Sequence, residues 1–291
     1  MDEAKLKTAM ETDPEKAKAY WKEHVYVEEL PDNIKPFKEL LQEYSKMSPA
    51  EVDSLLHRTR AQLWEVVKYP CIGRWAFTNL RSIEGPRLEA ATRRLLSTGT
   101  NNDAILDVGC CIGQALRYLA HKGLHPSRLY GTDLHPEFMQ IGNELFGDKD
   151  RGPTFVAGDM LDTDDVRLRE LDHKVTMIHA GNFFHLFTWD QQVKIGTRML
   201  RFFQPGTTDA VIFGRHIGTL RPREIDDLGV YYLHNQESFE KLWGEIGDRT
   251  GTKWRVEAEV VERLGASLPF FGDDERYMTF GVYQIFPSHM P

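Results

Sequence analysis

The chain has 291 residues, with 36 Lys and Arg against 44 Asp and Glu, a formal net charge of -8, 41% hydrophobic residues and 27% charged ones. That balance suits one well-packed globular domain with an added segment, and it excludes a general nucleic-acid binder, which needs a basic footprint. The 3 cysteines, with Cys110 and Cys111 adjacent, make neither a disulfide framework nor a zinc spacing.

No apolar run reaches the ~20 residues of a membrane helix. The polar N-terminus, MDEAKLKTAMETDPEKAKAYW, is no secretory signal. A reducing, cytoplasmic setting is expected.

Residues 1–100 read as helical, a cap packed on the rest of the chain, and residues 101–291 as the main domain. Asp13-Pro14 opens a helix carrying Ala17, Tyr20, Trp21 and Val25, and Phe37, Leu40, Leu41 and Tyr44 form a second apolar stripe. Ser48-Pro49-Ala50-Glu51 has the pattern of a capping box with proline in the first turn. Val52, Leu55, Leu56, Leu63, Val66 and Val67 follow with helical spacing, and Tyr69-Pro70 ends the run. The segment from Tyr69 to Ser82, YPCIGRWAFTNLRS, mixes aromatics, a glycine turn and two arginines, a composition that suits a wall against a substrate. Gly85-Pro86 opens a helix through Leu88 and Leu95 that ends near Gly99.

From Asp103 strands alternate with helices. Strands are expected over 104–108, 128–132, 153–157, 174–180 and 210–214, then a long connection over 217–234, and two late, antiparallel strands over 254–261 and 277–286. Thr188-Trp189-Asp190-Gln191 is a second capping box, and Asn235 caps the last helix. The alternation implies an α/β sheet with helices on both faces.

Open α/β sheets bind ligands beyond the carboxyl ends of their strands. The key stretch is AILDVGCCIGQ, Ala104 to Gln114: an apolar strand, an acid, a glycine-containing turn and a helix start. Gly109 and Gly113 let the backbone turn and approach a ligand closely. Asp133 ends the next strand and can accept two hydrogen bonds from ribose hydroxyls. Asp159 ends the third strand and can accept from an adenine amino group. Two acids without a base disfavour a phosphate-rich ligand, and neither a P-loop nor G-x-G-x-x-G is present.

These residues resemble the class I S-adenosylmethionine-dependent methyltransferases over roughly 103–286. LDVGCCIG is similar to the family's first motif, with Asp107, Gly109 and Gly113 in place and Cys111 where the middle glycine stands. The resemblance implies a Rossmann-like seven-stranded sheet and S-adenosyl-L-methionine as cofactor. It implies cofactor contacts from Asp107, Gly109, Cys110, Gly113, Asp133, Leu134, Asp159, Met160, Ala180 and Asn182, and Arg81, on the segment leading into the first strand, either reaches the cofactor's carboxylate or makes a structural ion pair. The HVYVEELPDNIKPFKELLQEYS opening, the YPCIGRWAF segment and the Gly-Cys-Cys turn further resemble fungal meroterpenoid-pathway methyltransferases. That likeness implies methyl-ester formation on the carboxylate of a farnesylated aromatic polyketide. A phenol or hydroxyl O-methyltransferase, a methyltransferase-like cyclase or isomerase, and an inactive partner subunit are the alternatives.

A carboxylate acceptor is ionised at neutral pH and needs no base, whereas a phenol wants one. His185 either orients the acceptor oxygen as the catalytic group or, bonded to backbone, steadies its loop. His179 is expected to point into the sheet. Arg215 either meets a substrate carboxylate or makes a surface ion pair. Tyr69, Trp75, Phe77, Phe183 and Phe187 are the expected wall of an apolar acceptor pocket, against core packing for each. No metal site is expected. The expected partners are a small hydrophobic acceptor and a second copy of the chain in a homodimer.

Overall fold

The computed structural model describes residues 25–80, 83–97, 102–226, 230–263 and 274–285. Its strands are β1 (Ile105–Val108), β2 (Leu129–Asp133), β3 (Thr154–Ala157), β4 (Met177–His179), β5 (Val211–Thr219), β6 (Arg223–Asp226), β7 (Val230–Leu233), β8 (Trp254–Arg263) and β9 (Glu275–Gln284). Seven of them form one sheet in the order β3-β2-β1-β4-β5-β9-β8, and β6 and β7 pair separately. β1 to β5 are parallel, and β9 inserts antiparallel between β5 and β8. β1 is flanked by β2 and β4, so the chain switches direction there and a crevice opens at the carboxyl ends.

The helices are α1 (Lys35–Tyr44), α2 (Pro49–Val66), α3 (Pro70–Gly73), α4 (Pro86–Leu96), α5 (Gln114–His121), α6 (Pro136–Phe146), α7 (Trp189–Leu200) and α8 (Gln236–Thr250). Successive strand residues face opposite sides, which divides the core. Leu106, Val108 and Ile178 join Val193, Phe239 and Trp243 of α7 and α8. Ile105, Leu129 and Met177 join Leu88, Leu95, Leu116 and Leu119 of α4 and α5 on the other face. Helices on both faces were the expectation from the alternation, and they are what the chain forms.

Within the expected 1–100 cap, α4 packs on the sheet, and the cap helices α1 to α3 have no core of their own. Phe37, Leu41, Leu56, Leu63 and Trp75 share one apolar cluster with Ile112 of the loop after β1 and with Phe138, Ile141 and Phe146 of α6. A buried ion pair joins the same parts. The guanidinium of Arg117, fully buried, donates to both oxygens of Asp148 at 2.9 and 2.7 Å, to Asn143 at 2.8 Å, and to the Ile112 carbonyl at 2.5 Å. Tyr44 of the cap donates to the same carboxylate at 2.8 Å.

Three local expectations change. Ser48 makes no side-chain cap, and the Glu51 N–H instead bonds the Ser48 carbonyl, so the first capping box does not form. Thr188 and Asn235 do cap α7 and α8, each in a reciprocal box. The expected long connection over 217–234 instead continues β5 to Thr219 and then folds into the β6–β7 hairpin. Arg223 of that hairpin donates to Asp274 at 2.8 Å and to Glu275 at 2.9 Å, which ties it to the start of β9. The helix expected from Asp13 lies outside the described residues except at its end.

Candidate active site

The site is built from backbone first. β1 is buried throughout and apolar except for Asp107, and it ends at Val108. Gly109, at φ +72°, turns the chain, and Gly109 and Cys110 both donate to the Thr132 carbonyl at the end of β2. Cys111 also adopts a left-handed backbone, φ +50°. Its N–H donates to Asp133 Oδ2 at 2.8 Å, and the His135 N–H reaches Oδ1 at 3.3 Å. Each carboxylate oxygen therefore takes a bond from the protein and keeps acceptor capacity for another. Burial lifts the Asp133 carboxyl above its ordinary value, and the Cys111 and His135 N–H groups pull it back.

The β3 turn is held the same way. The Gly158 N–H bonds the Asp133 carbonyl, and the Asp159 N–H bonds Asp165 Oδ2 at 2.9 Å. Arg167 hydrogen-bonds Asp165 and holds its carboxyl well below the usual range. Asp159 Oδ1 accepts from the Leu161 N–H at 2.8 Å.

These turns enclose a cavity of about 450 Å³. Asp107, Gly109, Cys111, Asp133, Leu134, Asp159, Met160, Gly181 and Asn182 line its strand-end side. Tyr69, Ile72, Phe77 and Ile83 face them from the cap, with Phe138, Phe183, Leu186 and Phe187 closing the rest. Among the described residues no lysine or arginine lines it.

The structure thus brings together Asp107, Gly109, Asp133, Leu134, Asp159, Met160, Asn182, Tyr69, Phe183 and Phe187. Cys110, Gly113 and Ala180 lie behind the wall, each buried. Gly113 begins α5 at φ +64°, where an added Cβ would meet Phe155 at 2.4 Å, so its role is in the turn. Trp75 is in the cap core and not on the wall: it is 1% exposed, and its indole N–H donates to the Val27 carbonyl at 2.9 Å.

Arg215 is also off the wall, its guanidinium stacked 3.6 Å above the Tyr277 ring. His185 sits in a 3-10 turn, Phe184–Leu186, with its ring 6.2 Å from that of His216. It does not line the cavity, and burial lowers its pKa to about 4. Arg81 lies outside the described residues.

Sequence reasoning missed Cys111, Gln114, His135 and His179 as wall residues. His179 was expected to turn into the sheet, but it lies opposite Asp107 in the β1–β4 register and bonds it at 2.7 Å. Only the pairing of β1 with β4 reveals that contact. Among the described residues no group of His, Cys, Asp or Glu is arranged to hold a metal ion. Nor is any helix there long and apolar enough to cross a membrane.

The donor set fits S-adenosylmethionine. An acid with spare acceptor capacity stands at β2, another at β3, and the acid-lined wall suits a ligand carrying a sulfonium charge. Gly109 leaves room where a side chain would not: a Cβ there would lie 2.7 Å from Phe183 Cδ2.

The fold and this site define a protein that holds a nucleoside-type cofactor at the strand ends of an open α/β sheet. Residues 25–78 match the meroterpenoid methyltransferase N-terminal domain, and residues 105–206 match the methyltransferase domain. The chain is 36% identical over 256 residues to the O-methyltransferase phiE of Fungal sp. (strain ATCC 74256), covering 86% of this chain and 84% of that protein. It is 34% identical over 260 residues to the O-methyltransferase atr3 of Stereocaulon alpinum, covering 88% and 74%. To the asnovolin E/chermesin D methyltransferase nvfJ of Aspergillus novofumigatus it is 31% identical over 232 residues, covering 76% and 80%. Among solved structures, phosphoethanolamine N-methyltransferase 2 of Haemonchus contortus shares the fold, with a TM-score of 0.51 at 15% identity. That match covers 77% of this chain and 60% of the other.

The chain belongs to the S-adenosylmethionine-dependent methyltransferases that carry the meroterpenoid methyltransferase N-terminal domain. It is an enzyme, and S-adenosylmethionine is its cofactor.

Proposed function

We propose that this methyltransferase is an O-methyltransferase that forms a methyl ester on the carboxylate of a farnesylated aromatic polyketide in fungal meroterpenoid biosynthesis. The observation that carries this reading is the two-sided lining of the cavity. Acids stand at the strand ends, and Tyr69, Ile72, Phe77, Phe183, Leu186 and Phe187 offer an apolar, aromatic face opposite. The acid side suits the cationic cofactor, and the apolar, aromatic side matches a large hydrophobic acceptor. The relatives named as O-methyltransferases support transfer to oxygen.

S-adenosylmethionine supplies an electrophilic methyl group on a positively charged sulfur. In this reading Asp133 and the Gly158–Met160 turn hold the nucleoside. Gly109, Cys111 and Gly181 bring backbone close, and the cap segment walls off the acceptor side. Methyl transfer is an in-line displacement, so the protein's work is to align the two reactants and exclude water. A carboxylate with pKa around 4 is already the nucleophile at neutral pH.

The test uses cofactor with a labelled methyl group and a prenylated aromatic carboxylic acid, followed by mild alkali. Label released as methanol is expected. Label kept in a base-stable ether or C-methyl product would overturn the ester reading.

A further inference from the structure

Phe187, on the apolar side of the cavity, is tied down through its carbonyl. That oxygen accepts from the Tyr232 N–H of β7 at 2.9 Å and from Gln192 Nε2 of α7 at 2.9 Å. The same Nε2 donates to the Tyr232 carbonyl at 3.1 Å. Carbonyls only accept, so both amide hydrogens of Gln192 are spent on these two and its oxygen faces away. There Gln192 Oε1 lies 3.0 Å from His234 Nε2, and His234 Nδ1 lies 3.0 Å from the Ser238 hydroxyl. An amide oxygen accepts as well, which puts the ring hydrogen on Nε2. Gln192 is 0% exposed, so water does not stand in for these bonds.

The network joins two parts of the molecule. One is the stretch from Phe183 to Phe187, whose two terminal rings lie 5.0 Å apart and line the cavity. The other is the β6–β7 hairpin, which stands outside the seven-stranded sheet and is held to β9 by Arg223. None of the hairpin's described residues lines the cavity.

We propose that Gln192 is a positioning residue for the acceptor: its amide fixes the Phe187 backbone against β7, so that the hairpin sets the shape of the face that grips the prenyl part of the acceptor. The inference rests on the reading of Phe183, Leu186 and Phe187 as the acceptor face. A buried carbonyl that loses its donor is costly, and a backbone freed from such a bond takes another position. Asp133 and Asp159 lie outside this network, so the effect falls on the acceptor and not on the cofactor.

Two variants grade the loss. Gln192→Glu keeps the shape and an oxygen for His234 but offers at most one donor to the two carbonyls, and Gln192→Met offers none. Active sites are counted by titration with S-adenosylhomocysteine. In Gln192→Met, KM for a prenylated aromatic acid is expected to rise about tenfold, the size of one lost hydrogen bond to a buried carbonyl. Gln192→Glu is expected to rise less. KM for the unprenylated acid and the affinity for S-adenosylhomocysteine are expected to stay within about twofold. In the unmodified enzyme, hydrogen exchange at residues 230–233 is expected to slow when the prenylated acid joins the S-adenosylhomocysteine complex.

Unchanged preference for the prenylated acid in both variants would overturn the proposal. Equal weakening of acceptor and S-adenosylhomocysteine would overturn it too, since it marks an amide that only supports the fold. Should neither variant fold, the exchange measurement decides, and a hairpin that does not respond to the acceptor overturns the proposal. Phe187→Ala tests the underlying reading separately. An unchanged KM for the prenylated acid there would remove Phe187 from the acceptor face, whereas a raised KM with silent Gln192 variants would overturn the role of Gln192 alone.

Discussion

Asp133 meets opposing demands. Burial raises its pKa, while the backbone N–H groups around it favour the charged form. Only the carboxylate accepts from two ribose hydroxyls, so cofactor affinity is expected to be flat near neutral pH. It should weaken once the pH falls to the raised value, earlier on acidification than for an exposed aspartate. Asp133→Asn is expected to cost about 1–3 kcal/mol of binding, read by calorimetry. Unchanged affinity would remove Asp133 from the ribose contact.

Buried histidines set a second pH response. Burial lowers His185 to about 4 and His234 to about 3, and pushes His216 well below its ordinary value. All three are neutral when folded, whereas an unfolded imidazole takes a proton near 6.5. Below that pH the unfolded chain binds more protons, so stability is full above it and falls as the pH drops toward 4. Each such histidine removes ~1.4 kcal/mol per pH unit in that window. Urea midpoints from pH 7.5 to 5 should track the loss. His234→Gln, which can keep partners in Ser238 and Gln192, should make the slope shallower.

At the scale of elements, the loop after β1 depends on a residue without a side chain. Gly109→Ala places a Cβ 2.7 Å from Phe183 Cδ2 on a left-handed backbone. Its cofactor affinity is expected to fall, by strain of order 1–3 kcal/mol plus the clash. Adding Phe183→Leu should recover only the clash.

This loop was legible in the sequence because strand, acid, turn and helix follow one another within eleven residues. So were the Thr188 box and the Asn235 cap. The β6–β7 hairpin was not, because Arg223, Glu224 and Asp226 hide its strand pattern. The charge of Arg223 makes sense only against Asp274 and Glu275, some fifty residues away. The bond between His179 and Asp107 was hidden for the same reason, since it exists only through strand pairing.

Arg117 makes four hydrogen bonds from one buried guanidinium. Arg117→Ala would leave Asp148 charged and buried, and is expected to cost ~3–5 kcal/mol of stability. Tyr44→Phe removes one bond to that carboxylate and is expected to cost ~1 kcal/mol. Both are measured by chemical denaturation.

For the molecule as a whole, the shared cluster makes cap and sheet one cooperative body. Phe37 is fully buried, with its ring 6.0 Å from Phe146 and 6.5 Å from Phe77. Phe37→Ala is expected to cost ~3–5 kcal/mol and to leave a single unfolding transition. A separate early transition of the cap would contradict the shared core.

The acid-lined wall has a consequence for the catalytic cycle. Methyl transfer turns a sulfonium into a neutral thioether, while Asp107, Asp133 and Asp159 keep their places. The spent cofactor therefore loses the sulfonium part of its attraction and keeps its ribose and adenine contacts. The product should bind more weakly than the reagent, and added salt should narrow the gap between the two affinities by screening those carboxylates. The charge that recruits the reagent holds the product less tightly.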